Sequence, residues 1–261
     1  MGLNVRIYII SHKEMNFPTR RGYFPLLVGA KGNNVFFNKN ELRDDKGDHI
    51  SEKNKNFCEL TGVYWIWKNV SADIVGICHY RRYFTKAVFS VRSKFFLGYE
   101  DIVHIMQQYD VIVPPKHYYE DCVIKSVKIA PNQRDMEELE KAIEHVCPEY
   151  IDSYIEFISN NFSYLYNMCI MKKDLFDKYC EWLFEILFFI EKDYDISKED
   201  DYRARLFGFL SERLLGVWMM KNHDKIRIKE VRVVKTGESA LRAKAHDIKN
   251  IYRNLKWKLR V

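Results

Sequence analysis

Short runs of apolar, β-branched residues alternate along the chain with longer stretches in which apolar residues recur every three or four positions. The first pattern predicts buried strands and the second predicts amphipathic helices. The predicted strands cover residues 5–10, 24–28, 73–78, 110–113 and 163–171, with a final strand or hairpin at 226–233. The predicted helices cover residues 57–67, 100–109, 135–146, 151–158, 174–190 and 202–220. Strands that alternate with helices favour a mostly parallel α/β sheet over a β-sandwich.

Polar residues follow two of the predicted strands directly. Ser11-His12-Lys13 follows the first strand, and His79-Tyr80-Arg81-Arg82-Tyr83 follows the strand at 73–78. Open α/β sheets bind ligands at the carboxyl ends of their strands. A basic cluster beside a buried strand is costly unless an anion or a carboxylate pairs with it. The sequence therefore predicts an anion site here, with an ordinary loop, or an ion pair from an arginine to Glu59 or Asp73, as the alternatives.

Three more polar residues lie where a polar side chain needs a partner or a function. Asn167 lies in the middle of an apolar run, where a buried amide must find hydrogen bonds from a ligand or from the fold. Glu212 lies in an apolar helix, and an ion pair to Arg205 or Arg213 is its structural alternative. Asp48, like Ser51, precedes a helix and either caps it or contacts a ligand.

Composition and charge narrow the class of protein. With 47% hydrophobic and 15% aromatic residues over 261 positions, the chain can form a large core. The net charge of +6 comes entirely from residues 240–261, so the first 239 residues are formally neutral and lack the basic face of a nucleic-acid-binding protein. The six cysteines form no CxxC pair, which is typical of reduced thiols in a cytoplasmic protein.

The basic tail has its own pattern. Its apolar residues form one stripe on a predicted helix that is otherwise rich in Lys and Arg, and they are Leu241, Ala245, Ile248, Tyr252, Leu255 and Leu259. Such a helix suits an anionic membrane surface, and a basic helix docked on the domain is the alternative. We therefore predict one domain over residues 1–239 and a basic amphipathic tail over residues 240–261, with peripheral attachment to the inner face of the cell membrane.

The common nucleotide and hydrolase motifs are absent from the sequence. There is no GxGxxG, GxxxxGK[ST], HExxH or GxSxG motif. Asp193-Tyr194-Asp195 matches an Asp-x-Asp motif by its letters, but it lies in an acidic loop. A divalent metal, Mn²⁺ or Mg²⁺, therefore has no clear carboxylate pair, and the sequence leaves this cofactor open.

Several stretches together form a family signature. The longest are residues 59–69 (ELTGVYWIWKN) and 76–84 (GICHYRRYF), and residues 47–51 (GDHIS), 166–168 (YNM) and 208–214 (GFLSERL) also fit. Over roughly residues 4–235 the chain resembles bacterial capsular, exopolysaccharide and O-antigen glycosyltransferases. His49 departs from the pattern, since Asn is more usual there.

The resemblance implies a fold and a reaction. It implies a GT-A-like single α/β domain that transfers a hexosyl group from a nucleotide sugar, and a UDP-sugar is the expected class. UDP-galactose, including its furanose form, is the donor that the family association suggests. The expected acceptor is a growing surface polysaccharide or a lipid-linked oligosaccharide. The alternatives are a nucleotide-sugar hydrolase and a non-catalytic carbohydrate- or nucleotide-binding module.

The resemblance and the residue chemistry together assign candidate roles. The donor-binding candidates are Ser11, His12, Lys53, Arg81, Arg82 and Asn167. The catalytic candidates are Glu212, as the first choice of general base, and Asp48 and His79 in reserve. Because many GT-A enzymes hold the diphosphate through an Asp-x-Asp-bound metal, we expect Arg81 or Arg82 to stabilise its charge here.

Overall fold

The structure is a computed structural model that describes residues 2–33, 42–87, 92–126 and 131–259. Its strands are β1 (Val5–Ser11), β2 (Tyr23–Leu27), β3 (Leu42–Arg43), β4 (Ile74–His79), β5 (Arg82–Phe84), β6 (Val111–Val113), β7 (His117–Tyr118), β8 (Phe162–Ser163), β9 (Cys169–Lys172), β10 (Ile228–Glu230) and β11 (Val233–Lys235). Its α-helices are α1 (Asn54–Phe57), α2 (Leu60–Asn69), α3 (Tyr99–Gln108), α4 (Val123–Ser126), α5 (Gln133–Val146), α6 (Ile151–Ser159), α7 (Lys173–Asp193), α8 (Leu206–Lys221) and α9 (Ala240–Lys258).

The chain forms two compact units. The sheet unit contains Met1–Pro115, Met168–Cys180 and Ile226–Glu238, and the helical unit contains Lys116–Asn167, Glu181–Lys225 and Ser239–Val261. In the sheet unit the strand order is β10-β6-β9-β4-β1-β2-β3. Strand β9 is antiparallel to both of its neighbours, and the other pairs in this order are parallel. The predicted α/β class with a mostly parallel sheet is therefore confirmed.

The centre of the sheet is buried on both faces, as a continuous apolar run predicts. Ile7, Tyr8 and Ile9 of β1 have no exposed surface. Helix α2 packs closely over the carboxyl half of β1 and the end of β2. A Cβ atom added at Gly62 would lie 2.7 Å from Val28 Cγ1 and 3.2 Å from Ile10 Cδ1. Glycine at this position therefore allows the helix to approach the sheet.

The helix predicted from residue 57 to residue 67 is interrupted in the structure. Helix α1 ends at Phe57, Cys58 adopts a positive φ of 52°, and α2 begins at Leu60. The Asn54 side chain stabilises this break, because its Nδ2 donates to Cys58 O (2.6 Å) and to Thr61 Oγ1 (3.0 Å). The prediction that Ser51 or Asp48 caps the helix is wrong, since none of the helix starts here has a side-chain cap.

Two of the predicted strands also differ in detail. The run at 163–171 forms the end of β8 and most of β9, and a turn that contains Tyr166 and Asn167 separates them. The run at 226–233 forms β10 and β11, but these strands do not form a hairpin. Strand β10 pairs with β6, and β11 pairs with β5, which in turn pairs with β4. The apolar pattern identifies the strands but not their partners.

The helical unit has a core of its own around α5, α6 and α8. Tyr154 OH donates to Met136 O (2.7 Å), and Trp182 Nε1 donates to Cys147 Sγ (3.2 Å). The six cysteines of the chain are free thiols, and most of them are buried. The aromatic and aliphatic residues on one side of α7 are buried and belong to the core, and they are Phe176, Tyr179, Trp182, Leu183, Ile186, Leu187 and Ile190. In the part of the chain that the structure describes, no helix is both long enough and apolar enough to span a membrane.

Helix α9 docks on β7 through polar and aromatic contacts. Tyr118 N donates to Asn250 Oδ1 (2.7 Å), and Asn250 Nδ2 donates to Lys116 O (2.7 Å). The His246 ring stacks on the His117 ring with 5.7 Å between their centres. The face of α9 that meets the unit is therefore not its apolar stripe.

Acidification should destabilise the fold through His117. Burial, together with the nearby His246, Arg253 and Arg213, lowers the pKa of His117 from 6.5 to about 4. The folded state therefore binds a proton at His117 more weakly than the unfolded state does. His117 has no effect on the free energy of unfolding above pH ~6.5, and it lowers this free energy as the pH falls toward 4. We expect a loss of about 3 kcal/mol in the free energy of unfolding over this range.

This loss can be measured by urea unfolding of the wild type and of His117→Phe near pH 7 and near pH 4.5. The phenylalanine keeps a ring in the stack but cannot take up a proton. The wild type should lose about 2–3 kcal/mol more than the variant on acidification. Equal losses in the two proteins would show that His117 does not titrate in this way.

Candidate functional site

Three parallel strands end side by side at one edge of the sheet unit. In the register of β1, Ser11 pairs with Leu27 of β2, and Ile10 pairs with His79 of β4. The segments that follow remain adjacent, because Val28 N donates to Ser11 O (3.0 Å) and Tyr80 N donates to Ile10 O (3.1 Å). The structure thus brings together the two polar strand ends that the sequence singled out.

The side chains of His12, Lys13 and Arg81 surround Tyr80 at this edge. The His12 ring meets the Tyr80 ring edge-on at 5.5 Å between centres. Lys13 Nζ lies 5.3 Å and Arg81 Cζ lies 5.2 Å from the centre of the same ring. These distances are within the range of cation–π attraction. We call these four residues the Tyr80 cluster; its His12 and Arg81 side chains are exposed.

The backbone of the turn that carries Arg81 is held in place by hydrogen bonds. Thr236 N donates to Arg81 O (2.8 Å), and Tyr83 OH donates to Tyr80 O (3.2 Å). Among the residues that the structure describes, Arg81 has no ion-pair partner. Asp73, one of the alternative partners, accepts a hydrogen bond from the backbone N of Asn4 (2.6 Å). Arg81 therefore combines a fixed backbone with an exposed guanidinium group.

The neighbours of Arg81 are held more tightly in the sheet. Arg82 lies in β5, where its Cα pairs with those of His79 and Lys235, and its side chain is half-buried. Ser11 is buried, and its hydroxyl both donates to Lys13 O (2.7 Å) and accepts from Lys13 N (3.2 Å). The Ser11 hydroxyl thus shapes the segment that positions Lys13.

Asp44 is a residue of this edge that the sequence did not single out. It follows β3 and has no exposed surface. Its carboxylate accepts hydrogen bonds from Gly29 N (2.9 Å), Ala30 N (3.0 Å) and the Ser51 hydroxyl (2.5 Å). Gly29 has a left-handed φ of 63°, which glycine adopts without strain. Asp44 therefore fixes the loop that follows β2, and the two residues of β3 give too short a pattern to predict this.

Asp48 lies away from the Tyr80 cluster. Its carboxylate accepts a hydrogen bond from Tyr64 OH (3.1 Å), and its backbone N donates to the Asn69 side chain (3.1 Å). Asn69 is the last residue of α2 and lies near the amino-terminal end of β4, whereas the Tyr80 cluster follows the carboxyl end of β4. Burial, and then the Asp48 carboxylate, raise the pKa of Tyr64. Asp48 thus fastens its loop to α2.

Lys53 lies near the edge but is packed along an aromatic ring. It belongs to the 3₁₀-helix Ser51–Lys53, and its Nζ lies 5.8 Å from the centre of the Phe57 ring. The neighbouring Ser51 hydroxyl accepts from Lys31 N (3.1 Å), which joins this helix to the loop after β2. The structure therefore places Lys53 on an element that contacts the edge.

A second polar cluster lies in the helical unit. Asn167 Nδ2 donates to Gly208 O (3.1 Å), and Tyr166 N donates to Glu212 Oε1 (3.1 Å). Two separate stretches of the predicted family signature, 166–168 and 208–214, thus meet. Tyr166 and Asn167 have φ values of 77° and 49°, and consecutive non-glycine residues in this region are strained. Such strain is common at functional sites.

Of the two ion pairs that are the structural alternatives for Glu212, the one with Arg213 does not form. Arg213 Nη1 donates instead to Tyr119 OH (3.2 Å) and to Ser163 Oγ (3.2 Å). Glu212 is half-buried on α8, and the Tyr166 N–H orients its carboxylate. This geometry presents an oriented carboxylate, which is what a general base requires.

The structure does not assemble a metal site from the residues that it describes, because no three His, Cys, Asp or Glu side chains come together there. The Asp-x-Asp letters at 193–195 lie at the end of α7 and in the loop that follows. Asp195 accepts a hydrogen bond from the Ser197 hydroxyl (2.6 Å) and pairs with Lys198 (2.8 Å). The Asp195 carboxylate therefore stabilises its own loop.

The α/β fold of this chain is similar to that of a glycosyltransferase of known structure. The chain aligns with the apo structure of WbbM, a bifunctional glycosyltransferase, with 28% sequence identity and a TM-score of 0.80 over 90% of this chain and 46% of that chain. The predicted glycosyltransferase-like α/β fold is thereby confirmed. This chain spans less than half the length of WbbM.

Residues 6–223 match the family described as "Domain of unknown function (DUF4422)", and the chain belongs to this family. No curated protein matches the chain. The signature at residues 59–84 and the roles of individual site residues remain predictions.

Proposed function

We propose that this protein is a glycosyltransferase that moves a hexosyl group from a UDP-sugar to a growing surface polysaccharide or lipid-linked saccharide. The main support is the Tyr80 cluster, which places the half-buried Lys13 and the exposed Arg81 at the common carboxyl edge of β1, β2 and β4. The proposal is further supported by the fold and by the 28% sequence identity to a glycosyltransferase over 90% of this chain. A galactosyl or galactofuranosyl donor is the narrower form of the proposal.

The cluster suits the charge that develops in glycosyl transfer. As the bond to the anomeric carbon breaks, negative charge grows on the departing diphosphate, and fixed cations stabilise it. In our proposal Arg81 pairs with a phosphate through its planar guanidinium, and Lys13 adds a second cation. Further proposed contacts to the donor from the sheet unit are His12, Ser11, Arg82 and Lys53.

The acceptor hydroxyl must also lose a proton if the transfer inverts the anomeric centre. We propose Glu212 as the base, because the Tyr166 N–H orients its carboxylate. Asn167 follows Tyr166 in the same turn, and its side chain donates to Gly208 O. We propose it as a further contact to the donor. His79 and Asp48 remain the reserve candidates.

A donor panel tests the reaction class. Purified protein is incubated with UDP-, GDP- and TDP-sugars and a saccharide acceptor, and released nucleotide and sugar products are measured with Mn²⁺, with Mg²⁺ and with EDTA. We expect nucleotide release to depend on the acceptor and to yield a glycoside. Free sugar as the product would favour the hydrolase, and binding without turnover of any donor would favour the binding module. The EDTA arm decides whether a metal is needed.

A further inference from the structure

Helix α9 carries its apolar residues on the side that faces away from the helical unit. The exposed fractions of these side chains run from 55% to 88%, and the residues are Leu241, Ile248, Ile251, Tyr252, Leu255 and Leu259. We call them the outer face of α9. By contrast Ala243 is buried, Asn250 bonds to β7, and His246 stacks on His117. The helix is thus docked by one face and leaves its apolar face exposed.

Helical spacing separates the two faces cleanly. The docked residues 243, 246 and 250 are three and four positions apart, and residues 241, 248, 252, 255 and 259 are separated by seven, four, three and four. Ile251 lies three positions after Ile248 and four before Leu255, on the flank of this second set. Each set therefore forms one side of an α-helix. A surface helix of a globular protein normally buries its apolar stripe against the core. A contiguous exposed apolar stripe instead marks an interaction surface.

The charges on α9 select the occupant of this surface. Its described basic residues are Arg242, Lys244, Lys249, Arg253, Lys256 and Lys258, and its one acidic residue is Asp247. The outer face extends over about 27 Å from residue 241 to residue 259, at about 1.5 Å per residue. An apolar stripe between rows of Lys and Arg matches the boundary between acyl chains and anionic headgroups.

We propose that α9 lies flat in the interface of an anionic membrane, with its outer face among the acyl chains. Its basic residues lie among the headgroups, except Arg253, which is half-buried and pairs with Glu120 (3.8 Å). The contacts of Asn250 and His246 with β7 keep the helical unit attached to the helix. Membrane binding by this surface is a function separate from the proposed transferase activity, because it requires no donor and no turnover. A lipid-linked acceptor, if one is used, would be held at the same surface.

Vesicle co-sedimentation of the full chain tests this proposal. The vesicles are phosphatidylcholine with and without phosphatidylglycerol. The test variant carries both Ile251→Glu and Leu255→Glu. The matched control is Ile155→Glu, whose side chain is 48% exposed on α6 of the same unit. We expect the wild type and the control to bind only the anionic vesicles. The double variant should bind them about tenfold more weakly or worse, because two apolar side chains no longer enter the membrane.

A charge variant and an oligomer measurement complete the test. A second double variant, with Lys249→Glu and Lys256→Glu, should bind anionic vesicles about tenfold more weakly than the wild type. Added salt should also weaken wild-type binding. Sedimentation velocity reports whether a second copy of the chain covers the outer face instead. The proposal is overturned if wild-type protein stays in the supernatant, or if either double variant binds as the wild type does. A wild-type dimer that Ile251→Glu and Leu255→Glu dissociate, without vesicle binding, would also overturn it.

Discussion

Arg81→Ala should lower kcat/KM for donor turnover by about 100- to 1,000-fold, the usual effect of removing a group that stabilises charge in the transition state. The Arg81 guanidinium is exposed beside Tyr80, and the backbone of its turn is held by Thr236 and Tyr83. The substitution should therefore remove a charge without disturbing the fold. Steady-state nucleotide release and calorimetric binding of the donor measure its effects on turnover and on affinity.

Arg21→Ala is the matched control for this prediction. Arg21 is also exposed in the sheet unit and covers an aromatic ring, with its Cζ 3.7 Å from the centre of the Tyr99 ring. It precedes β2, and so it lies at the opposite edge of the sheet from the Tyr80 cluster. The control should keep wild-type kinetics. Arg81→Lys should recover part of the lost activity, because lysine keeps the charge but cannot pair in a bidentate manner. Full turnover and unchanged donor affinity in Arg81→Ala would remove Arg81 from the site.

The sequence predicts the sheet better than it predicts the connections. Strands β1 and β4 follow from their β-branched apolar runs, since both are buried on two faces. The break at Cys58 does not follow, because Phe57 and Leu60 keep the helical spacing across it. The turn at Tyr166 and Asn167 is hidden in the same way, within a run that reads as one strand. In both places side-chain hydrogen bonds override the local pattern, those of the nearby Asn54 at Cys58 and those of the distant Glu212 at Tyr166.

The candidate site is likewise only partly predictable from the sequence. A basic group after a buried strand is visible as His79 to Arg82, but its association with Lys13 depends on the pairing of β1 with β4. Asp44 could not be found, because its role depends on backbone N–H groups that lie 14 and 15 residues away in the sequence. The amphipathic stripe of α9 was visible. The stripe does not show that the helix docks by its other face, because this docking depends on contacts of Asn250 and His246 with β7.

Glu212→Gln should lower kcat by about 100- to 10,000-fold while leaving donor affinity close to that of the wild type, the range expected for loss of a general base. Glutamine has nearly the same shape as glutamate, and its carbonyl oxygen can still accept the hydrogen bond from Tyr166 N. The strained turn at Tyr166 and Asn167 should therefore remain in place. Rapid-quench turnover and donor binding separate the chemical step from affinity.

Glu138→Gln provides the control, since Glu138 is a half-buried carboxylate on α5 of the same unit and pairs with Lys141 (2.9 Å). It should keep wild-type kinetics and a wild-type melting temperature. Glu212→Ala adds a structural test, because it removes the acceptor for the Tyr166 N–H and should lower the melting temperature as well as kcat. If Glu212→Gln turns over normally and Glu212→Ala only loses stability, Glu212 supports the turn and takes no proton. The base must then be sought at His79 or Asp48, and His79 is the better placed of the two because it adjoins the Tyr80 cluster.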